Sequence, residues 1–425
     1  MVGGGGMNEL ATASQPQAAY DARLRRVMDA VQLKTPDRVP VGMMSILWWA
    51  RYGGTTVREI MYDGDLLARI AMQALDEFEP DVFQPPHMTA YIGRMLEAAG
   101  FKQMLWSGHG VGDHQGYQYL DREYMSAAEY DDFLFDPTGF FLQTYLPRVA
   151  TAFEGLAHLP WLPSRAYFPF LVGMASFADP RVQASLAQLR NTGEEAVRLL
   201  TRSAQFVEDA KARGFPADAG VICFCPFDMF GDYMRGAKGI LTDMYRHPDK
   251  LLEATDKAAV MIAREAIKAA RMSGSPFVFI PIHWGPDNFM SLKNFQRFWW
   301  PGLRKVMMSL IEADLIPIVL WEANCASRLE TIADIPPGKA IYHFEQTDMR
   351  LARDVLRGVV CIRGNVPASI MVTGQPEDVD AYCRGLIEDV GRGGGFILDG
   401  ALGIPDDAPL RNVRALYEAA RKYGG

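Results

Sequence analysis

Several ionisable side chains in this 425-residue chain sit at the ends of strongly apolar runs. A charge in that setting has to be paired or turned into a polar cavity. Glu322 follows the run Ile-Pro-Ile-Val-Leu-Trp, and His283 follows Phe-Val-Phe-Ile-Pro-Ile. A carboxyl group and an imidazole placed this way can act as a general acid and its partner. Asp287, four residues after His283, is expected to orient it or to bind substrate. His343 and Glu345 are two residues apart in a third run, so they share one face of a strand. If that face looks inward, both join the site, which makes Glu322, His283, His343 and Asp287 the catalytic candidates.

The same residue types allow a metal reading. Zinc takes three or four N, S or O ligands, and the best available set is His283, Glu322, Cys325 and His343. Asp228 and Asp232 follow another apolar stretch and are candidates for binding substrate, whereas Cys223 and Cys225 within it read as packing. His87 and Asn365 also fall just after runs of this kind. Trp48, Trp49, Tyr52 and Trp284, with Arg51 among them, promise an aromatic pocket that suits an aryl or other planar substrate better than a polyanion.

Residues so scattered in sequence need a scaffold that gathers strand ends. Eight β-branched or aromatic runs bounded by Gly, Pro, Asn or Asp can be counted, at 38–45, 81–86, 220–228, 277–284, 316–324, 339–345, 359–365 and 394–399. Their near-continuous apolarity suits strands buried on both faces, and helical patterns such as 251–272 and 376–391 separate them. Eight such units predict an α/β fold, a (β/α)8 TIM barrel, whose catalytic side chains gather at the carboxyl ends of the strands. About 130 residues lie between the second and third runs, more than a crossover needs. Within them 108–124 alternates like a hairpin and 193–214 looks helical. We therefore expect a flexible start over 1–20 and one barrel domain over 21–425, with an insertion at about 98–215 that covers the mouth.

A hydrophobic content of 49% supports a large core, and a net charge of −8 without a Lys/Arg run argues against a nucleic-acid partner. Five scattered cysteines do not make a secreted disulfide framework. No stretch of about 18 apolar residues spans a membrane, and residues 1–6 lack the regions of a signal peptide. A cytoplasmic enzyme is expected, with a homodimer as a candidate assembly.

From Arg38 to its carboxyl end the chain resembles the uroporphyrinogen decarboxylase superfamily. The motifs are Thr35-Pro-Asp-Arg-Val-Pro40, Gly364-Asn-Val-Pro367, Thr373-Gly-Gln-Pro-Glu-Asp-Val379 and Gly393-Gly-Gly-Phe-Ile-Leu398. The resemblance implies the same barrel and two chemistries: cofactor-free decarboxylation of a porphyrinogen, or methyl transfer involving corrinoid proteins or thiols, usually with zinc. The decarboxylases carry Met-Arg-Gln-Ala-Gly-Arg-Tyr where this chain has Ile46-Leu-Trp-Trp-Ala-Arg-Tyr52, keeping only Arg51 and Tyr52. Their aspartate after the second strand is replaced by the stretch Gln84-Pro-Pro-His87. The methyltransferases' His-x-Cys after the fifth strand and Cys after the eighth are absent too. His283-Trp-Gly-Pro-Asp-Asn-Phe-Met-Ser291, with Phe298-Trp-Trp-Pro301, resembles a longer subgroup associated with methyl-group or aromatic methyl-ether metabolism.

The combined expectation is a methyltransferase acting on an ether, thioether or amine, with a corrinoid, thiol or pterin as acceptor. Zinc and a corrinoid (cobalamin) are its candidate cofactors, and a corrinoid protein its candidate partner. Decarboxylation of a tetrapyrrole or aromatic acid is the alternative, and a non-catalytic corrinoid- or tetrapyrrole-binding module the second.

Overall fold

The computed structural model describes residues 15–159 and 167–425. Eight parallel strands alternate with helices: β1 (Gly42–Met43), β2 (Val82–Phe83), β3 (Val221–Ile222), β4 (Phe277–Ile282), β5 (Ile316–Trp321), β6 (Ile341–Phe344), β7 (Cys361–Val366) and β8 (Phe396–Gly400). β3 to β8 form one continuous sheet in sequence order. The ring closes through β1 and β2, which pair in parallel. Phe83 bridges to Ala217 just before β3, and Val41 bridges to Leu398 of β8, where the Leu398 amide donates to the Pro40 carbonyl. The fold is the TIM barrel expected from the eight runs.

Alternation along each strand divides the barrel into an inside and an outside. Phe277, Phe279, Ile316, Ile318, Leu320 and Ile341 pack together with inward residues of the other strands. Their neighbours Val278, Ile280, Val319, Trp321, Tyr342 and Ile362 belong to the larger core beneath the helices. The inside is not wholly apolar. Arg363 on β7 is buried, donating to Asp218 at 2.5 Å and to Asp399 on β8 at 2.6 and 2.8 Å. This ion triad ties the segment before β3 to the last two strands across the barrel. Gly42 on β1 is a glycine because a Cβ there would collide with the Asp399 carboxylate and the Arg363 guanidinium.

Between β2 and β3 the structure departs from a simple cover. The alternating segment 108–124 joins a small sheet in which Met104–Ser107 pairs antiparallel with Gln118–Tyr119. The helical pattern of 193–214 belongs to a much longer helix, Pro180–Ala212. Phe206 on that helix packs edge-on to Phe83 of β2 at 5.8 Å, so this helix is part of the layer around the barrel. Among the described residues of the interval, the small sheet comes up to the mouth, where Tyr119 meets Tyr233 at 5.8 Å. Of the start set aside as 1–20, residues 1–14 lie outside the described residues. Residues 15–20 instead open the helix Gln15–Val31, whose Val27, Ala30 and Val31 are buried. Among the described residues no helix is long and apolar enough to cross a membrane.

Candidate active site

His283 leaves the end of β4 and Glu322 the end of β5, adjacent strands in register, and this brings Nε2 of the imidazole to 3.6 Å from Oε1 of the carboxyl group. Behind the imidazole stands Asp232, whose Oδ2 is 2.6 Å from Nδ1. The other Asp232 oxygen accepts from the Trp284 indole at 2.7 Å. Asp228, four residues earlier, accepts the His283 backbone amide and the Trp299 indole, each at 2.6 Å. A spacing of four puts Asp228 and Asp232 on one helical face. They lie where Pro226–Asp228 runs into the π-helical turn Met229–Arg235, a local form common at functional sites.

This packing of acids decides where protons sit. Burial opposes the charge of His283, but the hydrogen bond and charge of Asp232 outweigh it, with Glu322 and Asp228 adding to the pull, and its pKa rises to about 9. Burial raises Glu322; the His283 charge pulls it back, while Glu345 and Asp232 push it further, and it reaches about 7. Asp228 is also raised, by burial first and then by the Asp232 charge. At neutral pH the pair Glu322–His283 therefore retains protons to give.

Aromatic rings surround one side of this cluster. Trp284 packs on Phe289 at 5.0 Å, and Tyr233 sits edge-on to Phe224 at 5.6 Å and to Tyr119. On the other side Glu345 takes the Ala323 amide, next to Glu322, and borders a cavity of about 780 Å3 at the ends of β6, β7 and β8. Asn365 lines that cavity and donates to the carbonyls of Glu345 and Thr347 at 3.1 and 2.9 Å.

The model of the family described as uroporphyrinogen decarboxylase (URO-D) matches residues 174–423, which includes every strand from β3 to β8 and the whole Asp228–Glu345 cluster. The chain belongs to the uroporphyrinogen decarboxylase family. Uroporphyrinogen decarboxylases of Actinobacillus succinogenes and Mannheimia succiniciproducens are each 25% identical over 187 residues, 42% of this chain and 50% of theirs. The chain thus spans about half the length of the curated relatives it matches. Among solved structures, a methyltransferase from Methanosarcina mazei is similar with a TM-score of 0.62 at 15% identity, over 94% of this chain and 98% of that one. That likeness is one of fold.

Within this uroporphyrinogen decarboxylase family barrel, several residues singled out in the sequence lie elsewhere. Trp48 and Trp49 are core residues rather than pocket walls: both are buried, their indoles donating to the Ala408 and Ser45 carbonyls. Tyr52 stacks on Trp48 and donates to Glu77, and Arg51 is exposed. His87 is fully buried against Phe206, with Nε2 on the Gly64 carbonyl, and meets none of the clustered acids. Asp287 does not orient His283, a role that falls to Asp232. It binds the amide and hydroxyl of Ser327 and pairs with Arg328 at 3.4 Å, so it holds a loop.

The zinc quartet does not converge either. His343 does point inward, but a layer below Glu345, where Nε2 donates to the Gly400 carbonyl at 2.8 Å and burial drives its pKa down to about 3. Cys325 is fully buried with its thiol directed at the Glu322 carbonyl, and burial pushes that thiol well up, away from the thiolate a metal requires. Among the described residues no group of three or more His, Cys, Asp or Glu is arranged to hold a metal ion. Sequence reasoning missed the rings of Tyr119 and Tyr233 and the role of Trp299. It also passed over Gln84, whose Oε1 is buried without a partner, as is the Ser45 hydroxyl on the neighbouring strand end.

Proposed function

We propose that this protein transfers a methyl group from an ether, thioether or amine to a corrinoid, thiol or pterin acceptor. The observation that carries the reading is the proton-holding pair Glu322–His283, 3.6 Å apart and set against aromatic rings. A methyl group on oxygen, sulfur or nitrogen leaves slowly until the heteroatom can take a proton. Glu322 is the group placed to supply it. His283, held in position by Asp232, stabilises the carboxylate left behind. The heteroatom keeps the electron pair of the broken bond and gains the Glu322 proton, while the acceptor's pair forms the new bond to carbon. Trp284 and Tyr233 offer faces for the substrate, and no step is assigned to a metal.

Decarboxylation is a second reading, favoured by the names of the family and of the two curated relatives. It asks for fixed cations to hold a carboxylate. The buried arginines are already committed: Arg363 to Asp218 and Asp399, Arg235 to Asp243, Arg328 to the carbonyls of Gly285, Pro286 and Met290. The test offers the purified protein an aryl methyl ether with reduced corrinoid, a thiol or a tetrahydropterin in turn, and uroporphyrinogen separately. We expect the demethylated phenol with one of the acceptors and no carbon dioxide. Carbon dioxide without methyl transfer would refute the proposal.

A further inference from the structure

The cavity beside Glu345 encloses about 780 Å3 between the ends of β6, β7 and β8 and the helix Pro376–Asp389. That is the size of a site for a small organic ligand. Its charge is one-sided. Glu345 and Asp348 contribute carboxylates, while the Arg350 guanidinium is occupied by Asp389 at 2.6 and 2.9 Å. Asp348 spends one oxygen on the amides of Arg350 and Leu351 at the start of the helix Met349–Leu356. Its second oxygen has no hydrogen-bond partner among the described residues. Pro367, Ala368, Leu386 and the Tyr382 ring supply flat apolar surface, and Ser369 and Gln346 further hydrogen-bonding groups. An anion entering here would meet two carboxylates, and the one cation in the lining, Arg350, is already paired with Asp389. A planar ring with an edge of N–H donors would meet acceptors and apolar faces together.

Two residues on the cavity's rim, Glu345 and Gln346, also touch the backbone that follows Glu322. Glu345 accepts the amide of Ala323, and the Gln346 amide donates to the Ala323 carbonyl, one residue from Glu322. We propose that this cavity is the acceptor chamber of the methyl transfer and that the acceptor is a reduced pterin, whose aminopyrimidinone edge donates to Asp348 and Glu345. The inference rests on the methyl-transfer reading and names its second substrate. The step balances without an oxidant or reductant. The pair on the pterin's secondary ring nitrogen forms the N–CH3 bond, and the donor heteroatom keeps the pair of the broken bond and takes the Glu322 proton. The proton displaced from the ring nitrogen then restores Glu322.

Binding can be measured without any methyl donor, by calorimetry with a 6-substituted tetrahydropterin, and with guanosine, which shares the aminopyrimidinone edge. We expect saturable tetrahydropterin binding to the intact protein, weakened about tenfold or more by Asp348→Asn, since one charge-assisted hydrogen bond contributes on that scale. Asparagine can still cap the helix at 348, so the substitution removes charge and keeps the cap. Ala368→Trp fills the chamber and should abolish binding, with circular dichroism confirming that both variants fold. Three results would overturn the assignment: no saturation at millimolar tetrahydropterin, affinity unmoved by either folded variant, or guanosine binding as tightly as the pterin. Tetrahydropterin binding at this cavity with no methyl transfer from any donor would instead count against the functional proposal. Methyl transfer to a thiol with no pterin binding would count against the chamber alone.

Discussion

Glu322→Gln should lower kcat/KM for methyl transfer by about 10²- to 10⁴-fold, the range over which a positioned general acid contributes. The amide fills the same space and can still meet His283, so substrate affinity should change little. The pH profile separates loss of a proton from loss of shape. In the native protein Glu322 holds its proton up to about pH 7, because burial and the Glu345 and Asp232 charges penalise its ionised form. Activity should therefore fall as pH rises through about 7, and again as His283 gives up its charge near 9. The variant should lose the limb at 7 and keep the one at 9. If Glu322→Gln turns over normally while Trp284→Ala abolishes ligand binding, the protein is a binding module and the acid has no catalytic role.

Arg363→Met should cost about 3–5 kcal/mol of stability, the usual result of removing one member of a buried ion group. The substitution leaves Asp218 and Asp399 buried together inside the barrel with no cation between them. Asp399 is already raised by burial, with the Arg363 charge the main influence pulling it back, so it would rise further without that charge. The variant should consequently recover part of its stability as pH falls and Asp399 takes up a proton. Denaturant titration at two pH values measures both effects. A loss below about 1 kcal/mol would show that the triad does not fasten the closing strands, and that the pairings of β1 and β2 suffice.

Every barrel strand could be read from sequence, because a strand covered by helices outside and side chains inside is mostly apolar, even where it carries a buried group such as Arg363 or Asp399. The runs ending at His283 and Glu322 placed these two residues on adjacent strand ends, and the inward face shared by His343 and Glu345 followed from alternation. Alternation gives the face and not the depth, which is why His343 proved to lie below the site and Glu345 within it. Nearness in sequence suggested Asp287 as the orienting acid for His283. The structure uses Asp232, 51 residues earlier, because β3 and β4 are neighbours in the barrel. The four-residue spacing of Asp228 and Asp232 was the available signal. Trp48 and Trp49 show the converse limit, since an aromatic after a strand can line a cavity or fill the core, and only packing decides between them. Tyr119 reaches the mouth from a connection whose course no local pattern fixes.

In the proposed reaction a methyl group passes between two bound molecules under the control of Glu322 and His283. A single turnover with a donor carrying a carbon-13 methyl group, quenched and read by mass spectrometry, tests it most directly. One labelled methyl should appear on the acceptor for every donor demethylated, with about a hundredfold or greater slowing in Glu322→Gln. Label appearing as methanol, which would make water the acceptor, or a label yield that Glu322→Gln leaves unchanged, would contradict it.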